Sequence, residues 1–143
     1  MERHFHELLA DLKKRLVQMS ALAETMIGDA VRVLVDRDGT PIPEIRRMED
    51  EVNRMQVEVD ETCFTLIALH QPAAGDLRFI LGAIKTNAEL ERLADEAINV
   101  CNKAERLLRE PPLRPFEIVP RMAAIAREMV KNGIDAFIAL DTA

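Results

Sequence analysis

The sequence predicts an all-α fold, an antiparallel up-down three-helix bundle with an additional fourth helix. Hydrophobic residues make up 48% of the 143 residues but aromatic residues only 3%. Aliphatic and methionine side chains must therefore fill the core, which is typical of helices packed on helices. Apolar residues recur at alternating intervals of three and four, which places them on one helical face. Glycine and proline interrupt this pattern at short connections.

The first helix is predicted from an apolar series that begins at Phe5 and ends at Val33. The members between them are Leu9, Leu12, Leu16, Met19, Ala23, Met26 and Ala30. The dipeptide Asp38-Gly39 and the prolines after it mark the end, because proline cannot continue a helix. Since glycine accepts the left-handed conformation of a helix cap, we expect Gly39 to provide that cap.

Two further helices follow the same pattern. The second carries one apolar stripe and runs until Pro72, with the members Ile45, Met48, Val52, Met55, Val59, Cys63 and Leu66. The third is predicted from Ala73 to Arg109 and carries two stripes, which indicates contacts with two neighbours. One stripe comprises Leu90, Leu93, Ala97, Val100, Ala104 and Leu107, and the other Leu77, Ile80, Ile84, Ala94, Ile98, Cys101 and Leu108. Short connections between long helices make antiparallel packing the default.

A proline-rich segment, 111–115, is predicted to be a semi-rigid linker after a three-helix repeat at 1–110. A fourth amphipathic helix is predicted from Phe116 to Leu140. Aligning Leu16 with Val119 also aligns Met19 with Met122, Leu22 with Ile125, Ala23 with Ala126, Met26 with Met129 and Asp38 with Asp141. We interpret 116–143 as the first helix of an incomplete second repeat, in a truncated form of a longer protein.

Charge and hydropathy narrow the class of protein. The formal net charge of −6 does not favour binding to nucleic acid or to anionic lipid. No apolar run approaches the roughly 20 residues of a membrane span, and the first ten residues do not resemble a signal peptide. We therefore expect a cytoplasmic protein.

Cys63 and Cys101 lack a CxxC spacing and lie in apolar stripes, so they are interpreted as reduced core residues.

Polar residues form two ridges on neighbouring helices. On the third helix each member stands four residues from the next: Asn87, Glu91, Asp95 and Asn99. Glu91 occupies a position where the apolar stripe predicts a hydrophobic residue. A charged side chain beside a packed helix interface lowers stability unless it is paired or bound to a metal. The second helix offers Glu49, Asn53, Gln56 and Asp60. Carboxylates from adjacent helices suit cations such as iron, manganese or magnesium.

The alternative interpretation of both ridges is a solvated flank with intrahelical ion pairs, since Arg54, Lys85 and Arg92 are nearby. A ferritin-like di-iron site requires a Glu-x-x-His motif on each of two helices, and the sequence contains none. It also contains no glycine-rich phosphate loop, nucleophile elbow or HExxH motif. We therefore predict no enzymatic activity.

The stretches QPAAGDLR at 71–78 and LERLADEAIN at 90–99 resemble the most characteristic segment of the PhoU family of phosphate-transport regulators. The opening His4-Phe5, the segment 48–60 and the helix after the linker agree with the same family pattern. The resemblance implies two similar three-helix bundles with Glu/Asp-x-x-x-Asp motifs that hold iron or another divalent metal. Glu91 and Asp95 match this motif. Glu49 and Asn53 are the corresponding pair, in which Asn53 replaces the family's usual acid.

The function that the resemblance implies is regulatory. Family members couple a phosphate ABC transporter, through its ATPase, to a phosphate-sensing histidine kinase, and a homodimer is expected. The spare helix is predicted to pack on its own bundle or to exchange with another chain. Two alternatives stay open. One is a carboxylate-bridged metal-binding bundle, either a metal store or a metalloenzyme, and the other is a structural oligomerisation bundle.

Overall fold

Four helices make up most of the computed structural model, which describes residues 2–112, 114 and 116–140. They are α1 (Glu2–Asp36), α2 (Ile42–His70), α3 (Ala74–Leu107) and α4 (Ile118–Leu140). Within the described residues there is no strand, so the all-α prediction is confirmed. The predicted match of Asp38 with Asp141, and the linker residues Leu113 and Pro115, lie outside the described part of the chain.

The first three helices run up, down and up, as predicted. The His70 ring at the end of α2 lies 5.5 Å from the Phe5 ring at the start of α1. At the other end of the bundle, Arg46 of α2 lies 3.1 Å from the Glu105 carboxylate near the end of α3. Helix α2 is therefore antiparallel to both of its neighbours.

The hydrophobic core confirms the apolar stripes predicted for the first two helices, since all of their members are buried. The prediction for the third helix was less complete. Val100 is exposed, whereas Phe79, Ala83 and Asn87, which belong to neither predicted stripe, are buried. The reason is that α3 contacts α1, α2 and α4, so its buried face is wider than two stripes.

Helix α4 packs on its own bundle, which is one of the two predicted arrangements. The Phe137 ring stacks on Phe79 of α3, with their centroids 4.8 Å apart. A Cβ atom on Gly82 would lie only 2.9 Å from the Phe137 ring, so glycine is needed for this close approach. Helix α4 lies along α1, with the Arg127 side chain beside Gly28, and Phe137 near its end reaches the beginning of α3. Helix α4 therefore runs antiparallel to α1 and α3. No helix in the described residues has the length and hydrophobicity of a membrane span.

The predicted cap after α1 was wrong. The left-handed residue is Arg37, with φ 51°, and no described glycine has a positive φ. Left-handed backbone is costly for a side chain with a Cβ atom. The Arg37 guanidinium donates hydrogen bonds to the backbone carbonyls of Leu107, Leu108 and Glu110, at 3.4, 3.4 and 2.7 Å. These bonds offset the cost and join the end of α1 to the end of α3.

Candidate functional site

The two polar ridges meet at the seam between α2 and α3, where Asn87 is fully buried. Its Nδ2 donates one hydrogen bond to the backbone carbonyl of Gln56 at 2.9 Å and another to Oδ1 of Asp60 at 3.0 Å. Its own Oδ1 has no hydrogen-bond partner among the described residues. Asn87 therefore belongs to the packed seam and not to a solvated flank.

Three of the four predicted metal ligands form an acidic cluster, which we define as Glu49, Glu91 and Asp95. Burial raises the pKa of Glu91, as do a side-chain hydrogen bond with Asp95 and the charges of Asp95 and Glu49. Burial also raises the pKa of Glu49, with further contributions from the charges of Asp95 and Asp50, while Arg46 lowers it. The cluster thus concentrates negative charge between α2 and α3.

The fourth predicted ligand, Asn53, stands apart from this arrangement. It is exposed on α2, one turn after Glu49. At the far end of the α3 ridge, Asn99 is also exposed, and its Nδ2 lies 3.5 Å from the Glu96 carboxylate of the same helix. The predicted ridges therefore divide into a buried contact at Asn87, the acidic cluster, and exposed ends.

Arg54 and Arg92, two of the nearby arginines, form their ion pairs with acids outside the acidic cluster. Arg54 pairs with Glu58 on its own helix at 2.7 Å, and Arg92 lies 3.7 Å from Glu89. These are the intrahelical ion pairs that the solvated-flank interpretation predicts, but they involve acids outside the cluster. Arg46, which pairs with Glu105 of α3, is the cation whose charge lowers the pKa of Glu49.

The acidic cluster fits a cation in its charge but not in its geometry. Carboxylate oxygens are suitable ligands for hard cations. In the described part of the chain, however, no group of three or more Asp, Glu, His or Cys side chains is placed to hold a metal ion. A metal centre would require Glu49, Glu91 and Asp95 to rearrange around the ion. Metal binding at these residues stays a prediction.

Both cysteines are free thiols in the core, as the sequence predicted. Burial, together with the charge of Asp60, raises the pKa of Cys63 to about 11. Burial is also the main cause that raises the pKa of Cys101. Since the thiolate is the reactive form, neither residue is poised for nucleophilic chemistry.

Sequence reasoning missed two exposed apolar surfaces. Helix α2 presents Val57 and Phe64 to solvent, and the Phe64 side chain is 73% exposed. Helix α4 presents a second set, whose members are between 57% and 69% exposed: Ile118, Met122, Ile125 and Met129. A signal existed for the first surface, because Val57 and Phe64 stand seven residues apart and outside the stripe of their helix.

Residues 16–104, which extend from the middle of α1 almost to the end of α3, match the family model of the PhoU domain. The match covers more than half of the 143 residues. This chain belongs to the PhoU family. The resemblance noted in the segments 71–78 and 90–99 is thereby confirmed.

Curated relatives match nearly the whole of this PhoU-family chain. The phosphate-specific transport system accessory protein PhoU homolog of Aquifex aeolicus (strain VF5) is 35% identical over 94% of the chain and 61% of the relative. The homolog of the same description from Pseudomonas aeruginosa is 34% identical over 99% of the chain and 59% of the relative. This member of the family therefore spans about three fifths of the length of these relatives.

The crystal structure of PhoU from Pseudomonas aeruginosa is similar in fold, with a TM-score of 0.90 at 35% identity. The similarity covers 96% of this chain and 66% of that one. All four helices therefore adopt a PhoU arrangement, and the predicted fold class is correct.

Proposed function

We propose that this chain is an accessory regulatory protein of a phosphate-transport system that works by binding other proteins and not by catalysis. In this proposal it couples a phosphate ABC transporter, through its ATPase, to a phosphate-sensing histidine kinase. The observation that carries the proposal is the 35% identity, over 94% of the chain, to a relative described as a phosphate-specific transport system accessory protein.

The surface of α2 supports a role in protein binding. Val57 and Phe64 point away from the core, and both are more than half exposed. Two exposed acidic residues, Asp60 and Glu61, lie between them on the helix. Large apolar side chains inside a polar rim are typical of binding surfaces between proteins. We assign this surface to contact with one of the two partners.

Binding of the purified chain to the transporter ATPase, and separately to the sensor region of the kinase, tests the proposal. We expect saturable binding to at least one of them, and a decrease of about tenfold or more in affinity for a Val57→Ser/Phe64→Ser variant. Leu81→Ser, which changes an exposed apolar residue of α3, is the matched control and should bind as the parent does.

The Pseudomonas aeruginosa relative serves as a positive control for the two partner preparations. If the relative binds under phosphate-replete conditions and this chain binds neither partner, the adaptor proposal is wrong for this chain. If the chain binds but the α2 variant retains full affinity, the coupling role stands and the surface assignment is wrong.

The acidic cluster supports a second candidate, in which Glu49, Glu91 and Asp95, with Asn53, hold iron or another divalent metal. The observation in its favour is that burial and the charge of Asp95 raise the pKa of both Glu49 and Glu91, so a bound cation would relieve the repulsion on these two carboxylates. Such a cation would supply electrostatic stabilisation of the α2–α3 seam. This candidate covers a metal store or a metalloenzyme.

Metal analysis of protein purified without chelator separates this candidate from the adaptor. We expect a Glu91→Ala/Asp95→Ala variant to lose the bound metal, while Glu61→Ala, an exposed acid of α2, keeps it. Equal metal content in the parent chain and both variants would refute the ligand assignment. If the chain binds neither metal nor partner, a structural oligomerisation bundle is the remaining candidate.

A further inference from the structure

A cavity of about 470 Å³ lies at the end of α3, away from the acidic cluster and from the exposed apolar surface of α2. We call it the basic pocket. Its lining comes from the end of α3 and the residues directly after it: Lys103, Arg106, Leu107, Arg109 and Glu110. Of these described residues, three carry a positive charge and one a negative charge. The pocket is therefore basic, although the whole chain has a formal net charge of −6.

The three cations of the basic pocket are not engaged by other side chains. Lys103, Arg106 and Arg109 are exposed, and none takes part in an ion pair or side-chain hydrogen bond within the described residues. The neighbouring Arg46 differs, because it pairs with Glu105 at 3.1 Å. Since the three cations stand three residues apart along the chain, their charges repel one another. A bound anion would relieve this repulsion.

Cations at the end of a helix have an alternative role, which is to bind its unpaired carbonyl groups and to interact with its dipole. In this chain Arg37 has that role. Its guanidinium donates hydrogen bonds to the carbonyls of Leu107, Leu108 and Glu110. Backbone amides that follow α3 engage further carbonyls of its last turns. The cations of the basic pocket are therefore available to a ligand.

We propose that the basic pocket binds a phosphate group. An arginine guanidinium donates two parallel hydrogen bonds to phosphate oxygens, whereas a lysine ammonium acts as a point charge. Arg106 and Arg109 supply the first kind of contact, and Lys103 supplies the second. The volume of the pocket lies within the range of small-molecule sites, so it admits inorganic phosphate and also a phosphate group carried by a larger molecule.

Two sources offer this chemistry, a free phosphate compound and the headgroup of an anionic lipid. The Glu110 carboxylate lines the pocket and repels either ligand, so its removal should strengthen binding. The basic pocket is separate from the surface assigned to protein binding, because Val57 and Phe64 lie on α2. The proposal therefore goes beyond the adaptor role and does not depend on it.

Titration of the isotope-labelled chain with sodium phosphate, followed through its backbone amide chemical shifts, tests the proposal. Sodium chloride at matched ionic strength is the control. We expect saturable shifts at residues 103–110 with a dissociation constant of about 1 mM, since exposed charge pairs are individually weak. ATP is the second free probe, and cosedimentation with phosphatidylglycerol vesicles tests the lipid headgroup. Binding to phosphate or ATP assigns a free ligand, whereas binding to the vesicles alone assigns a membrane surface.

Substitutions in the pocket separate its contacts. Arg106→Gln should weaken binding by about tenfold, because it removes a charge together with the paired donors. Arg106→Lys keeps the charge but loses the paired geometry, so it should weaken binding by about threefold. Glu110→Gln should strengthen binding by about threefold, because it removes the opposing carboxylate. Arg78→Gln is the matched control, since it removes an exposed cation near the other end of α3, and it should bind as the parent does.

The substituted positions are all exposed, so each variant should fold, and helical circular dichroism checks this. Equal shifts with phosphate and chloride, together with no binding to ATP or to the vesicles, would overturn the proposal. An Arg106→Gln variant with the parental affinity would also overturn it. Equal losses for Arg106→Gln and Arg78→Gln would do the same, because the charge of the whole chain and not the basic pocket would then attract the ligand.

Discussion

An Asn87→Asp substitution should destabilise the bundle far more than Asn87→Leu. The first change replaces the buried Nδ2 donor with a carboxylate oxygen, although the shape of the side chain is kept. That oxygen would face Oδ1 of Asp60 at 3.0 Å and the backbone carbonyl of Gln56 at 2.9 Å. Two hydrogen bonds become two repulsive contacts at a position without exposure to solvent.

The distances set the size of the effect. Two unit charges at 3.0 Å repel by about 5 kcal/mol at an effective dielectric constant of 20, and solvent around the exposed Asp60 reduces this value. Adding the burial of an unpaired carboxylate, we expect a loss of about 3–5 kcal/mol in the free energy of unfolding. Asn87→Leu loses both hydrogen bonds but also removes the unsatisfied Oδ1, so its loss should stay below about 1 kcal/mol.

Urea unfolding followed by helical circular dichroism measures both changes, since the chain has neither tryptophan nor tyrosine for fluorescence. The introduced carboxyl should have a pKa raised in the folded state, so its penalty is present above that pKa and decreases as the pH falls toward the ordinary value of about 4. The gap between the two variants should therefore narrow in acid. Equal stabilities at neutral pH would refute the placement of Asn87 against Asp60.

Three further predictions concern the acidic cluster, the thiols and the docking of α4. Glu91→Gln should raise the free energy of unfolding at neutral pH by about 0.3–0.5 kcal/mol, because it removes repulsion by Asp95. Since protonation of Glu91 has the same effect, the gain should disappear at acidic pH. Cys63 and Cys101 should react with a thiol reagent at mildly alkaline pH only after unfolding. Phe137→Ala should lower the free energy of unfolding by about 2 kcal/mol, because the partly buried ring leaves Phe79.

Each of these predictions has a control. Glu24→Gln, at a position in α1 without charged neighbours one turn away, should leave stability unchanged. If it stabilises as much as the Glu91 variant, repulsion within the cluster is not the cause. Thiol reaction in the native state at the unfolded rate would contradict the burial of both cysteines. An unchanged free energy of unfolding after Phe137→Ala would mean that α4 does not dock through this ring, and Met129→Ala, at an exposed position, is the comparison.

The fold could be predicted because α1 and α2 each bury a single apolar face with the spacing of an α-helix. Every apolar residue in the stripes of α1 and α2 is buried, since each of these helices turns one continuous apolar face to the core. Prediction from a single face was less successful for α3, because a helix with several neighbours buries residues outside any single stripe. Phe79 and Ala83 became core residues for this reason.

The candidate site was only partly predictable, because spacing along a helix does not report rotation about its axis. Asn87, Glu91 and Asp95 share one spacing, yet Asn87 is sealed in the seam while Glu91 and Asp95 are partly exposed. The left-handed Arg37 could not be anticipated either. Its backbone is stabilised by carbonyl groups about seventy residues later in the chain, and Gly39 was the better choice on local propensity alone.

The structure separates two kinds of polarity at the α2–α3 seam that the sequence presents as one ridge. The hydrogen bonds of Asn87 join the two helices, whereas the charges of Glu49, Glu91 and Asp95 oppose their approach. If this chain binds a cation at the acidic cluster, the ion should raise its free energy of unfolding. If it does not, neutralising Glu91 should raise that free energy whether or not metal is added. Adding metal to the Glu91→Gln variant distinguishes these cases, because the substitution lowers stability in the presence of the ion only if Glu91 is a ligand.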